Sequence, residues 1–334
     1  MSYHAADGRR HEGSDVGEAD VAAQDVTPTM AAVAAAVGAP EFTLRWLDRF
    51  YDADDAELVL AAAGAAGGDA EALAGFDAAR LERVVRRGIL DRDEAGGYKP
   101  TDFRNRLEIW AMFEGWKDVP PAVHRELAEW DVGAYAETIR EDVEAVRDGR
   151  PGDSFEARYA YVLLPEAEAI VAARQRVYLW PCDCRSLTSR CRKPMDVCLR
   201  FENDRGLGWE ISRERAVAIL RSTDKAGLMH TADLHDDPRE SSAICNCCTD
   251  CCYPHLATER LGMGDVWPVR RHSARIEMDL CTACGRCGLR CPFAAIVCGT
   301  GGRPELDPSL CRGCGLCATG CGPEAIELRP LAAG

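Results

Sequence analysis

The sequence predicts an α+β protein of several domains: a helical head, a cysteine-rich α/β middle domain and a small C-terminal domain built on a doubled cysteine run. Three observations predict this. The chain has 334 residues, enough for two or three domains. Apolar spacing is helical through the first half and gives way near residue 160 to short strands around a helix. None of the eighteen cysteines precedes Cys182, and fourteen fall between Cys245 and Cys321, so thiols are a local device.

Residues 1–26 are polar, acidic and poor in aromatics, and read as a disordered tail. They hold no apolar core, so they are neither a secretory signal nor a membrane anchor. The pair Arg9–Arg10 is followed by polar "HEGSD", which argues against twin-arginine export. No run approaches the roughly 18 apolar residues of a spanning helix. The expectation is a cytoplasmic protein with no membrane insertion, where clustered cysteines read as metal sites and not disulfides.

The head covers residues 27–150. Glu41–Phe50, Ala56–Ala66 and Asp77–Arg87 carry apolar residues at helical spacing; Asp77 can cap the third segment and Gly88 can end it. "ILDRDEAGGYKPTDF" then reads as a short hairpin, and 105–149 as further helices. Three helices and a hairpin resemble the winged helix-turn-helix head of MarR-type regulators. The charge opposes the DNA binding that this resemblance implies. Of the net −15, residues 41–150 carry −10, residues 1–40 carry −4 and residues 151–334 carry −1. The best reading helix offers Arg80, Arg83, Arg86 and Arg87, but a DNA-binding domain needs a basic face, so specific DNA binding is not expected.

The middle domain covers residues 151–268. "RVYLW" (176–180) and "MHTADL" (229–234) read as strands, and 213–226 as a helix capped by Ser212 and closed by Gly227. If the two strands were parallel neighbours, a right-handed crossover would bring the cysteines beyond them to one edge.

The most specific motif lies in residues 269–334. Cys281, Cys284, Cys287 and Cys291 follow the spacing C-x2-C-x2-C-x3-C, and Cys311, Cys314, Cys317 and Cys321 repeat it. In such runs three thiolates wrap one iron–sulfur cube and the fourth reaches the other cube. Cys281, Cys284, Cys287 and Cys321 are therefore expected to hold one [4Fe-4S] cluster, and Cys311, Cys314, Cys317 and Cys291 a second. Gly285, Gly313, Gly315 and Gly320 let the backbone pass close. Zinc sites usually join two distant two-ligand hooks, which this doubled run is not. The run closely resembles the two-cluster bacterial ferredoxin over roughly residues 272–330, with "ARIEMDL", "AAIVCG", "RPELD" and "AIELRP" as its short strands. Gly322 departs from the proline usual in that family. Cys298, in an apolar segment, reads as a small core residue.

Nine cysteines remain, all in the middle domain: Cys182, Cys184, Cys191 and Cys198, then Cys245, Cys247, Cys248, Cys251 and Cys252. They can complete one or two further [4Fe-4S] clusters; zinc and free reactive thiols stay open as alternatives. Adjacent cysteines point in different directions, so each adjacent pair can serve two centres. Arg185, Arg190, Arg192 and Lys193 sit among them, either as cations favouring an anionic cluster, as a dock for an acidic partner, or as a solvated loop. His230, His235 and His255 are nearby candidate ligands or proton donors. The full arrangement resembles a group of large 4Fe-4S-binding proteins of anaerobic microbes. That resemblance implies cluster binding and electron transfer and names no substrate.

Three functions follow: an electron-transfer protein working with a redox partner, an iron–sulfur oxidoreductase acting at the middle site, or a redox-sensing regulator. No P-loop or GxGxxG segment points to a nucleotide.

Overall fold

A computed structural model describes residues 25–331 apart from 65–72, 74, 95, 118, 151 and 153. Residues 1–24 of the expected tail, and the last two of the second expected helix, lie outside the described residues.

The head opens with α1 (Pro28–Val37), capped by Thr27, whose hydroxyl accepts from the Met30 amide at 3.2 Å. Glu41–Arg49 forms a 3-10 helix where an α-helix was expected. Thr43 explains the tighter winding: its amide and hydroxyl both donate to the Pro40 carbonyl, at 2.9 and 2.6 Å, closing a three-residue turn. α2 (Ala53–Gly64) and α3 (Ala78–Arg86) follow. Asp77 caps α3 by accepting from the Arg80 amide, and Gly88 ends it at φ 70°. β1 (Leu90–Arg92) and β2 (Tyr98–Pro100) pair as the expected antiparallel hairpin. α4 (Phe103–Phe113) and the 27-residue α5 (Pro121–Arg147) complete the head.

One cation joins these pieces. Arg106 on α4 is fully buried. It donates to the Phe50 carbonyl at 2.8 and 3.0 Å, to the Arg87 carbonyl at 2.8 Å and to Glu114 at 2.7 and 3.0 Å. The ends of the 3-10 helix, α3 and α4 thus share one guanidinium, which satisfies carbonyls the helices leave open. Phe50, Phe103 and Trp110 pack beside it, with centroids 4.7 and 5.3 Å from Phe50.

The middle region contains α6 (Phe155–Arg158), β3 (Tyr159–Val162), α7 (Leu164–Ala173), β4 (Val177–Pro181), α8 (Asp183–Thr188), β5 (Asp196–Arg200), β6 (Trp209–Ile211), α9 (Arg213–Lys225), β7 (Met229–Asp233), β8 (Ala243–Cys247) and α10 (Tyr253–Leu261). The strands form one six-stranded sheet in the order β3-β7-β8-β5-β4-β6, every neighbouring pair antiparallel. This corrects the expected parallel pairing of the strands at 176–180 and 229–234. β4 and β7 are separated by β5 and β8, and they run in opposite directions. The chain returns after β4 and again after β7 through connections shorter than most parallel crossovers, which favours antiparallel pairing. The two returns then join side by side through β5 and β8.

α7 and α9 cover one face of the sheet, packing Ile170, Val171 and Leu220 against Val177, Leu199 and Ile244. The other face meets α8, α10 and the head. There the head's core continues into Leu187 and Tyr253, with Cys184 packed against it.

The C-terminal region has β9 (His272–Ile276), α11 (Arg286–Arg290), β10 (Ile296–Cys298), β11 (Pro304–Leu306), α12 (Leu316–Thr319) and β12 (Ile326–Pro330). β9 pairs with β12 and β10 with β11, both antiparallel. Three of the strands lie where the sequence places them, and the first, expected over 274–280, is found at His272–Ile276. Arg290 on α11 and Thr319 on α12 both bind Asp224 at the end of α9, at 3.0 and 2.7 Å. Val269 bridges to β3 through hydrogen bonds of 3.0 and 3.1 Å.

Replacing Arg106 with Ala leaves the Phe50 and Arg87 carbonyls and the Glu114 carboxylate short of partners. The unfolding free energy is expected to fall by roughly 3 kcal/mol, measured by denaturant titration.

Candidate metal centres

In the C-terminal region two loops fold back on the strands at glycine. Gly313 has φ 69°, and a Cβ there would sit 2.1 Å from the His272 carbonyl oxygen; Gly302, at φ 75°, would meet the Ala283 oxygen at 2.0 Å. Only glycine permits both the left-handed backbone and the close approach. The folded loops bring the eight cysteines into two groups. Cys281, Cys284, Cys287 and Cys321 line one small cavity. Cys291, Cys311, Cys314 and Cys317 line another. Backbone amides face sulfur in both: Ala283 donates to Cys281 at 3.4 Å, Ala325 to Cys321 at 3.3 Å and Ala274 to Cys311 at 3.5 Å. Such bonds favour the thiolate. Burial pushes the Cys317 thiol up to about 12 and Cys314 higher still, so these thiols keep their protons until a cation replaces them. Four thiols per cavity, with amides aimed at sulfur, fit a four-iron cluster in each.

The two cavities differ in exposure. Cys284 is exposed, whereas Cys311 and Cys317 are buried. Cys298 lines neither cavity. It stands behind Cys287, its thiol 4.0 Å from that sulfur and donating to the Gly285 carbonyl.

The nine middle thiols divide into two groups. On β8, Cys245 and Cys247 share a face, and Asn246 points the other way. There it accepts from Thr223 at 2.9 Å, pairs with His230 at 2.7 Å and donates to the Val197 carbonyl at 2.6 Å. On β5, the register that sets Leu199 against Ile244 places Cys198 opposite Cys245. Cys182 follows β4, whose Trp180 stands opposite Cys198. Cys184 lies on α8, and Cys252 caps α10. These six thiols form a closed ring in the order Cys182, Cys184, Cys252, Cys247, Cys245, Cys198, each interacting with both neighbours. They line a cavity of about 520 Å³.

The remaining three, Cys191, Cys248 and Cys251, form a second group with sulfurs within 4.8 Å of one another. Each adjacent pair is therefore split: Cys247 and Cys252 face the ring, Cys248 and Cys251 the trio. Hydrogen bonds from Cys251 and then Arg185 hold the Cys248 thiol down to about 5.

Titration states in the ring alternate. Cys182, Cys252 and Cys245 are held well below the usual thiol range by bonds from their neighbours, and Cys184, Cys247 and Cys198 well above it by the same bonds. Like charges this close cannot all ionise without a cation between them. Hydroxyls and an amide also face the ring: Thr231 reaches Cys247 at 3.3 Å, Tyr159 reaches it at 3.7 Å, and the Tyr253 amide donates to Cys184 at 3.4 Å. Arg200, Asp183 and Glu108 stand in the cavity wall. Burial pushes Asp183 up to about 6 and Glu108 up to about 8, with Arg104 opposing the rise at Glu108.

Of the expected cations, Arg185 is buried and donates to the Pro194 and Asn246 carbonyls. Lys193 binds the Ala226 and Gly227 carbonyls, and Arg190 approaches Glu129 at 3.5 Å. Among the four, Arg192 is exposed without such a partner. The loop is thus bound inward, which corrects the reading of a wholly solvated loop. His230 is buried behind the sheet, and His235 pairs with Asp233 at 3.1 Å. His255 lies beside the ring, near enough to lower the Cys252 thiol.

Sequence reasoning missed Tyr161. It is buried on β3 between the ring and the second C-terminal cavity, packed with Met229, Cys247, Cys252, Leu316, Phe293 and Cys314. Its hydroxyl meets His255 at 3.4 Å, and its ring meets Phe293 edge-on at 5.9 Å. No local pattern marks this residue, because its neighbours come from four distant segments.

A family model described as a 4Fe-4S binding domain matches residues 274–297. No curated protein and no solved structure matches the chain. With thiol groups of this geometry, the match makes the chain an iron–sulfur protein. No helix among the described residues is long and apolar enough to cross a membrane.

Two outcomes test this geometry. Gly313→Ala forces the loop between Cys311 and Cys314 away from β9. It should cost the second C-terminal cavity its iron while sparing the first, as read by iron content and EPR. Glu108 has a folded-state pKa near 8, above its ordinary 4.5. Its stabilising contribution is complete below about 4.5 and is lost as pH rises through about 8. Glu108→Gln should flatten that decline, measured as the difference in melting temperature between wild type and variant across the window.

Proposed function

We propose that the protein is an iron–sulfur electron carrier. Two ferredoxin-type [4Fe-4S] clusters would be held crosswise, one by Cys281, Cys284, Cys287 and Cys321, the other by Cys311, Cys314, Cys317 and Cys291. The middle thiols would hold at least one further cluster. When bound, such clusters take up and release single electrons at potentials set by charge, hydrogen bonds and exposure.

The observation that carries this reading is the ordered row of thiol-lined cavities. The first is at the surface, with Cys284 exposed and Leu280, Leu289 and Val297 exposed in the same segment. An exposed apolar surface beside a cluster suits docking of a redox partner. In the second, Cys311 and Cys317 are buried and Cys291 and Cys314 half-buried, and Tyr161 connects its wall to the six-thiol ring. The row therefore runs from the exposed first cavity through the second to the ring, with Tyr161 between the last two.

The winged-helix likeness of the head is better read as a docking device than as a DNA reader. On the expected reading helix, Arg80 pairs with Glu57 at 2.8 Å, and Arg87 with Asp55 and Glu114 at 2.9 and 3.2 Å. Arg205 of the middle region donates to the Val85 carbonyl at 2.6 Å, so part of that helix already faces protein. A second reading, reductive chemistry on a small substrate, is favoured by Glu108 in the cavity wall, since a carboxyl protonated near neutral pH can donate a proton.

The test uses full-length protein prepared without oxygen. Iron should exceed the roughly 8 of two cubes. Cys291→Ser should damage the cluster of the second run; loss confined to the first run's cluster would refute the crossed assignment. Tyr161→Leu should leave both C-terminal clusters reducible and slow reduction of the middle centre. An unchanged rate would remove Tyr161 from the route.

A further inference from the structure

The six-thiol ring has more donors than one cube can use. A [4Fe-4S] cube takes four cysteines. The ring supplies Cys182, Cys184, Cys198, Cys245, Cys247 and Cys252, all facing the same cavity. Two arrangements are available: four thiolates hold a cube and two stand idle, or all six hold something larger.

Three features separate them. The ring is closed, with each thiol meeting two others, and no gap divides it into four and two. The donors come from α8 and its N-cap, β5, β8 and the N-cap of α10, so no four of them form a compact run of the kind seen at Cys281–Cys287 or Cys311–Cys317. Size gives the third argument. Each C-terminal cavity with four cysteines encloses about 20 Å³, whereas the cavity the ring lines, which also reaches Cys248, Cys251 and Arg205, encloses about 520 Å³. Cys248 and Cys251 also line this cavity, but their sulfurs group with Cys191, within 4.8 Å of one another and without a ring sulfur.

We propose that the six thiols together hold one iron–sulfur assembly larger than a cube, of the size of two four-iron units joined within a single cavity. This rests on the reading above that the middle thiols bind iron, and it adds the nuclearity and the donor set. All six bind as thiolates, so the protons the ring still holds leave as the assembly forms. Arg200 in the wall, together with the hydroxyls of Tyr159 and Thr231 at Cys247, faces the anionic sulfurs that result.

The trio could also bind metal, so the measurement is made on full-length Cys191→Ser/Cys248→Ser protein, loaded anaerobically with iron-57. Iron and sulfide are counted, and Mössbauer spectra apportion the iron between the C-terminal clusters and the ring. The expected result is about 16 iron, about 8 of them beyond the C-terminal 8, in a one-to-one ratio of spectral areas. About 12 iron, in a ratio of one to two, would overturn the larger assembly and leave a single middle cluster standing. About 8 iron would overturn both the assembly and the further cluster. Fewer than 8 in the C-terminal subspectra would count against the crossed ferredoxin reading alone. If the double variant fails to fold, wild type is compared with Cys245→Ser. Loss of about 8 iron in one step supports the six-thiol seat, and loss of about 4 or none refutes it.

Discussion

Six thiols line one cavity, and the surrounding structure answers to that crowding. Without a cation they cannot all ionise, and the ring settles into alternating low and high proton affinities. The β5–β8 register sets the arrangement by placing Cys198 opposite Cys245. A slip of one residue would turn Cys245 and Cys247 to the α7–α9 side and bring Asn246 into the cavity. Asn246 opposes that slip, because its hydrogen bonds to Thr223, His230 and the Val197 carbonyl exist only on the far face. Arg185 on α8 holds the same strand from the opposite face, donating to the Asn246 carbonyl while it faces Cys248.

The head takes part in building the middle site. Tyr253, directly after Cys252, donates to the buried Asp131 of α5. Trp116 donates to the Ser186 carbonyl on α8 at 2.7 Å, and Leu187 enters the head's core. Both cysteine-bearing connections, 182–191 and 248–252, are thus clamped from outside the sheet. This gives a physical use to a large acidic head that carries no cysteine.

Between the ring and the C-terminal cavities the structure is apolar and aromatic. Tyr161, Phe293 and Leu316 close the space between Cys252 and Cys314 and keep water from the junction. Asp224 holds the two parts in place by binding both Arg290 and Thr319. Cys284 is exposed whereas Cys311 and Cys317 are buried, so the two C-terminal sites sit in different dielectric surroundings, which is one of the levers that set cluster potential.

The sequence by itself determined what is local. Repeated thiol spacing marked the C-terminal pair of sites, because three of the four donors in each lie within one loop. Caps at Asp77 and Ser212, the hairpin at 89–103 and the strands at 176–180 and 229–234 also follow from short-range preference. The structure alone decided what depends on partners far apart in the chain. It set the antiparallel strand order that replaced the expected parallel pair. It also sorted nine middle thiols into six and three, and placed Tyr161 against Cys314. The 3-10 winding at Glu41–Arg49 is a local case that periodicity missed, because apolar spacing does not register the pull of Thr43 on the Pro40 carbonyl. The physical reason for the division is range. Spacing within a loop reports which atoms can meet through a few bonds, whereas a ring drawn from four segments exists only once sheet register and helix packing have fixed their separation.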